Sequence, residues 1–135
     1  MAPGSLRQML RLQFLLLSCL FAAAAAAAPL SPVAKAEIDA LLSRLEASGC
    51  QFNRNGTWYN AADAKAHLLV KLKYFEDRGA VQTAEQFIEL AASSSSVTRQ
   101  AYLVKCAGGA AIPSSAWLGS QLQLIRSAAR PTTPK

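Results

Sequence analysis

The stretch Cys50-Gln51-Phe52-Asn53-Arg54-Asn55-Gly56-Thr57-Trp58-Tyr59-Asn60 decides how this chain folds. Asn-Gly between two aromatic-rich runs predicts a two-residue type I′ hairpin, because that turn needs positive φ at both central residues. The turn sets a register in which Arg54 faces Thr57, Asn53 faces Trp58 and Phe52 faces Tyr59. Side-chain alternation then puts Cys50, Phe52 and Tyr59 toward a core, with Gln51, Asn53 and Trp58 on the other face. Arg54 shares the core-side face but sits beside the turn, where it can reach past the sheet edge toward solvent or a ligand. Trp58 leaves a large apolar ring on the non-core side, which needs a reason. Asn55-Gly56-Thr57 also matches the N-x-[ST] glycosylation pattern, which matters only in a eukaryotic secretory protein.

Outward from the hairpin the pattern is helical. Ser31 before Pro32 opens a helix over about Val33 to Ser48, with Ile38, Leu41, Leu42 and Leu45 on one stripe and Gly49 as the stop. Asn60 caps a second helix running to about Arg78, with Asp63 at its third position and Ala61, Ala64, Leu68, Leu72 and Phe75 inward. Thr83 with Gln86 reads as a reciprocal capping box for a third helix to about Ala92, carrying Phe87, Ile88 and Leu90. Ser93 to Ser96 reads as a short low-complexity link. Ala101 to Cys106 reads as a strand with Tyr102, Val104 and Cys106 on one face. Ser114 is expected to cap a last helix to about Arg130, with Trp117, Leu118, Leu122 and Ile125 inward. This order predicts an α+β domain, mainly helical, with about four helices packed on a small antiparallel sheet.

The N-terminal residues set the compartment. Arg7 and Arg11, an apolar run from Leu12 to Phe21, then Ala22 to Ala28 before Pro29 follow the three-part order of a secretory signal peptide. Residues 1–28 are therefore expected to be removed, leaving a globular domain over 29–130 and a mobile tail over 131–135. A transmembrane anchor is the competing reading, and alanine's weak hydrophobicity argues against it. A second rival is a lipoprotein anchored through Cys19 in Leu16-Leu17-Ser18-Cys19, against which the apolar stretch continues well past that cysteine. Loss of Arg7 and Arg11 leaves 12 basic residues against 8 acidic ones, so the formal charge falls from +6 to +4. The remaining cations are interspersed with acids, without the clustered stripe that nucleic-acid binding needs. Cys50 and Cys106 remain, and in an oxidising compartment they read as a disulfide contributing about 4 kcal/mol through loop-closure entropy. Two buried free thiols are the alternative.

Several ordered short motifs carry a resemblance. Phe52-x-Arg54-Asn55-Gly56, Ala64-x-x-His67-Leu68 with Lys71, Ala84-Glu85-Gln86-Phe87-Ile88, Ala92-Ser93-Ser94-Ser95-Ser96 and Tyr102-x-Val104 together resemble the YfeK-like family of small exported bacterial proteins, a domain of unknown function. The resemblance covers roughly Ile38 to Arg126. It implies a bacterial origin, a periplasmic or envelope location and one small domain, and it implies no activity. A bacterial origin removes the glycosylation reading of Asn55. One departure is visible: the serine run is typically followed by a Gly, where this chain has Thr98-Arg99-Gln100.

Candidate chemistry is sparse. His67, the sole histidine, has Asp63 and Lys71 one helical turn to either side, so the three stack along one flank of the second helix. A carboxylate orienting an imidazole, with Ser95 or a neighbour as nucleophile, would be a minimal hydrolase; solvated i,i+4 charge pairs are the plainer reading. Zinc needs three or four His, Cys or carboxylate ligands, so no metal site is expected, and no cofactor fingerprint appears. The remaining binding candidates are Asn53, Arg54, Trp58 and Arg99, the last beside a serine turn able to cradle an anion. The chain thus reads as an exported envelope protein, either an interaction or structural module meeting a protein or cell-wall component, or a small-ligand binder using Arg54, His67 and the serine turn.

Overall fold

The computed structural model describes residues 28–132. Expectations for residues 1–27, including signal cleavage and lipidation at Cys19, and for residues 133–135 of the tail lie outside the described residues. The elements are α1 (Pro32–Ala47), β1 (Gln51–Arg54), β2 (Thr57–Tyr59), α2 (Ala61–Glu76), α3 (Ala84–Ala91), β3 (Leu103–Lys105), β4 (Ile112–Pro113) and α4 (Ser114–Ala129). Among the described residues four helices accompany one antiparallel sheet in the order β2-β1-β3-β4, which is the α+β class that the alternation of patterns predicts.

The hairpin has the expected register: Phe52 opposite Tyr59, Asn53 opposite Trp58, Arg54 opposite Thr57. Asn55 and Gly56 take φ of 52° and 84°, the left-handed pair that a type I′ turn requires. The Asn53 side chain accepts from the Gly56 N–H at 3.1 Å and closes the turn. On the other edge β1 pairs with β3, Gln51 opposite Lys105 and Phe52 opposite Val104. Cys50 and Cys106 continue that register by one place and form a disulfide with Cα atoms 4.3 Å apart, the close spacing of a non-hydrogen-bonded antiparallel pair.

The core lies between this sheet and the helices. Ile38, Leu41 and Leu45 of α1, Phe87 of α3, Leu118 of α4 and Val104 of β3 are essentially inaccessible. Trp117 meets Phe52 edge to face at a centroid distance of 5.9 Å, joining α4 to the hairpin. Phe87 is 0% exposed, so truncation to Ala costs about 3–5 kcal/mol through lost transfer energy and the cavity left behind.

Local signals work where a side chain reaches its own helix end. Ser31, Asn60 and Thr83 accept from the N–H of Ala34, Asp63 and Gln86, each satisfying an orphan donor of a first turn. Four readings need correction. Gln86 returns not to the Thr83 amide but to that of Gln82, at 2.8 Å, one residue outside the reciprocal box. Ser114 is not a cap: it is the first residue of α4, Pro113 is the N-cap and makes no side-chain bond. The Ser114 hydroxyl instead donates to the Ala92 carbonyl, tying α4 to the end of α3. The Ala101–Cys106 strand shrinks to Leu103–Lys105, because Ala101 makes only an isolated bridge to Ser94 and the Tyr102 N–H turns to the Ser93 carbonyl; β4, which the sequence patterns do not announce, pairs with the other edge of β3. Pro113 can occupy β4 because an edge strand does not need its N–H.

The serine run is a folded turn rather than a loose link. Ser95 is buried, and its Oγ accepts from the N–H groups of Val97 at 3.3 Å and Thr98 at 3.2 Å. Its own N–H donates to the Gln100 carbonyl at 2.9 Å, and the Ser93 carbonyl accepts from Tyr102 N–H at 2.9 Å. The turn passes through Arg99 at φ 63°.

Candidate functional site

Three elements meet at the tip of the hairpin. β1 ends on Arg54, α2 offers His67 and Lys71 from successive turns, and the segment entering β3 offers Tyr102. Arg54 Nη1 lies 2.5 Å from His67 Nδ1, and His67 Nε2 lies 3.1 Å from Tyr102 Oη. Lys71 Nζ donates to the same phenol oxygen at 3.2 Å and to the Ser94 carbonyl at 2.7 Å. The Arg54 guanidinium also lies over the Tyr59 ring, 4.8 Å from its centroid. Lys71 is only 8% exposed, so the solvated charge-pair reading of this flank does not hold for it.

The electrostatics are unusual for a half-buried cluster. Among the described residues no salt bridge joins a carboxylate to Arg54 or Lys71. Burial, with the nearby charges of Arg54 and Lys71 adding to it, lowers the His67 pKa to about 4. Burial and then Arg54 lower that of Lys71, and burial raises that of the Tyr102 phenol, against the pull of Arg54. Uncompensated cations withdrawn from water are costly, and an anion in contact with them relieves that cost.

The cluster faces two spaces. An outer groove of about 870 Å³ runs between α2, the hairpin tip and the serine turn, and its lining includes Arg54, His67, Lys71, Ser95 and Tyr102. Thr98 Oγ1 donates to Asn55 Oδ1 at 2.6 Å, fixing the serine turn against the hairpin along one wall. Val70, Tyr74 and Val97 also line this groove, all largely exposed, with Val97 90% accessible. An inner pocket of about 190 Å³ lies behind the cluster over Phe52, Leu45, Leu68 and Leu118. Arg54, Tyr59, His67 and Tyr102 line both spaces.

Of the residues singled out by sequence, Arg54, His67, Lys71 and Ser95 therefore share the outer groove. Asn53 and Asp63 line the inner pocket. Asp63 makes no bond to His67: its place is the first turn of α2, where its N–H donates to the Asn60 cap at 2.8 Å. Trp58, 39% exposed, and Arg99 line neither space. Sequence reasoning missed Tyr102 and Tyr59 as site residues. A tyrosine on a core-facing strand position carried the signal, because a buried phenol oxygen seeks a partner. The hydrolase geometry finds little here. Both imidazole nitrogens of His67 are engaged by Arg54 and Tyr102, and a base with a pKa of about 4 is too weak to activate a serine hydroxyl at neutral pH. No group of three or more His, Cys, Asp or Glu suited to a metal occurs among the described residues.

The model of a family of unknown function, DUF5329, matches residues 32–126, from the first helix almost to the end of the last. This chain belongs to the DUF5329 family. The whole Arg54–His67–Tyr102–Lys71 cluster of this DUF5329 protein lies within the matched span. The chain is also 42% identical over 69 residues to the uncharacterized protein YfeK of Salmonella typhimurium strain LT2, a match covering 50% of this chain and 56% of that protein. The chain thus spans little more than half the length of that curated relative. No solved structure matches it. No helix among the described residues is long and apolar enough to cross a membrane.

Proposed function

We propose that this protein is an exported bacterial binding module whose outer groove takes a small anionic ligand. The observation that carries the reading is the pairing of Arg54 and Lys71 around His67 and Tyr102 with, among the described residues, no carboxylate bonded to either cation. Donors remain for a ligand. Arg54 uses one of its guanidinium N–H groups on His67, and Lys71, having donated to Ser94 and Tyr102, keeps a third proton. Tyr102 Oη accepts from both neighbours, which leaves its own hydrogen to donate. Charge-assisted bonds of this kind are about twice as strong as neutral ones. Export to the periplasm or beyond is supported by the Cys50–Cys106 disulfide and by the signal-like order of residues 1–28; a lipoprotein anchored through Cys19 is the rival. A mass spectrum of the protein purified from cells separates them, by a cut near Ala28 or a lipidated Cys19.

The binding test is thermal unfolding at fixed ionic strength with increasing acetate or inorganic phosphate. Ligand at 100 times its Kd stabilises the folded state by about 2.7 kcal/mol. Arg54→Gln and Lys71→Met are each expected to remove the anion-dependent shift while the protein stays folded. A wild-type protein indifferent to both anions rules the reading out. A second reading, an interaction module meeting an envelope protein or cell-wall component, has the exposed Trp58 ring in its favour; Trp58→Ala should then abolish partner capture without moving the melting temperature.

A further inference from the structure

The inner pocket is the feature that anion binding alone does not use. About 190 Å³ stays open beside the core, in a pocket that opens partly to solvent. An engineered apolar cavity of about 150 Å³ is enough to admit benzene. The floor is apolar, made by Leu45, Phe52, Leu68 and Leu118. Its polar side is the back of the cluster itself, where Arg54 and His67 line the inner pocket as well as the groove.

We infer that the ligand is a small hydrophobic carboxylic acid, an aromatic or short branched aliphatic acid, whose apolar part fills the inner pocket while its carboxylate rests on Arg54. This rests on the anion reading above and names its ligand class. Arg54 is the cation that reaches both spaces, whereas Lys71 lines only the groove. Asp63 also lines the inner pocket, and its carboxylate repels the acid group from that side, so the negative end of the ligand is directed to Arg54. The apolar volume sets the size limit: a phenyl ring fits, a long acyl chain does not. Discrimination comes from the apolar surface removed from water, so benzoate should exceed acetate in affinity by at least about tenfold.

Benzoate and acetate are titrated into methyl-labelled wild-type protein, with Leu45, Leu68 and Leu118 reporting on the inner pocket and Val70 and Val97 on the groove. The expected result is a benzoate Kd at least about tenfold below that of acetate, with the largest shifts on the three leucines. Ala64→Leu, which puts a larger side chain on the lining of the inner pocket, should abolish that preference. Benzoate binding no tighter than acetate, or shifts concentrated on Val70 and Val97, overturns this inference and leaves the anion site standing. Failure of wild-type protein to bind either acid overturns this inference, and indifference to inorganic phosphate as well removes the anion site itself.

Discussion

Arg54 Nη1 and His67 Nδ1 stand 2.5 Å apart, and this contact assigns the histidine's proton. A guanidinium only donates, so Nδ1 is the acceptor and the ring hydrogen resides on Nε2, from which it donates to Tyr102 Oη at 3.1 Å. The tyrosine oxygen thus receives hydrogens from both His67 and Lys71. A strand end, a helix and the segment entering another strand are joined through the His67 ring, which binds Arg54 on one side and Tyr102 on the other.

The first prediction concerns pH. The His67 pKa falls to about 4 in the folded protein and lies near 6.5 in an unfolded chain. Between these values the unfolded state holds the proton and the folded state does not, so stability declines as pH drops from about 6.5 to about 4. Above pH 6.5 the histidine contributes no pH dependence. Urea midpoints measured from pH 7.5 to 5 should show the decline in wild type and lose most of it in His67→Gln, in a range where carboxylates remain ionised. Nitrogen-15 spectra of the imidazole should show unprotonated Nδ1 at neutral pH; a ring titrating near 6.5 contradicts the assignment.

A second concerns the ion-pair network that locks the helices together. Arg126 of α4 binds both oxygens of Glu37 on α1, at 2.9 and 3.0 Å, and reaches Glu85 of α3 at 2.5 Å. Its guanidinium is held further toward the charged form by Glu37 first and Glu85 second, and Arg126 pulls the Glu85 pKa down. Bidentate, networked pairs are the ones that contribute measurably. Glu37→Gln should cost about 1 kcal/mol by urea unfolding, whereas Asp39→Asn, which breaks the exposed Lys35–Asp39 pair, should cost less than about 0.5 kcal/mol. Equal losses would mean that the network adds nothing to a single surface pair.

A third follows from the backbone at Arg99. Its φ of 63° lies in the left-handed region, where a side chain costs about 1 kcal/mol and glycine adopts the conformation freely. This is the segment where the resemblance leads one to expect a glycine. Arg99→Gly should raise the melting temperature, with a gain of up to about 1 kcal/mol after glycine's own entropy loss. Arg99→Val, β-branched, should lower it.

The fourth concerns the disulfide, which joins residues 56 apart in sequence. Reduction, or Cys50→Ser with Cys106→Ser, should lower stability by about 4 kcal/mol on loop-closure entropy. Comparing urea midpoints with and without reductant measures it, and peptide mapping without reductant should recover one linked pair.

The helix starts and the hairpin were legible in the sequence because the groups that decide them are neighbours. Ser31, Asn60 and Thr83 bind amides three residues ahead, and Asn55-Gly56 sets its own turn and with it the Phe52–Tyr59 register. The pairing of Cys50 with Cys106 was legible for a different reason: of the three cysteines Cys19 lies in the signal-like N-terminal stretch, which leaves this pair as the simplest one. Ser114 and Gln86 mark the limit of local reading. Each has the side chain a cap needs, but the Ala92 carbonyl and the Gln82 amide were closer to hand.

The site follows the same division. Sequence alone determined that Asp63, His67 and Lys71 lie on one flank of α2, and that Arg54 sits at a turn with freedom to reach outward. Only the tertiary structure decided which of these meet. Lys71 is buried because the serine turn folds over it and supplies a carbonyl, and His67 turns to Arg54 and Tyr102 rather than to Asp63. Those partners come from 13 and 35 residues away in the chain. Helical periodicity fixes which residues share a face, but the packing of that face against the sheet determines which charges lose their water and therefore what they can bind.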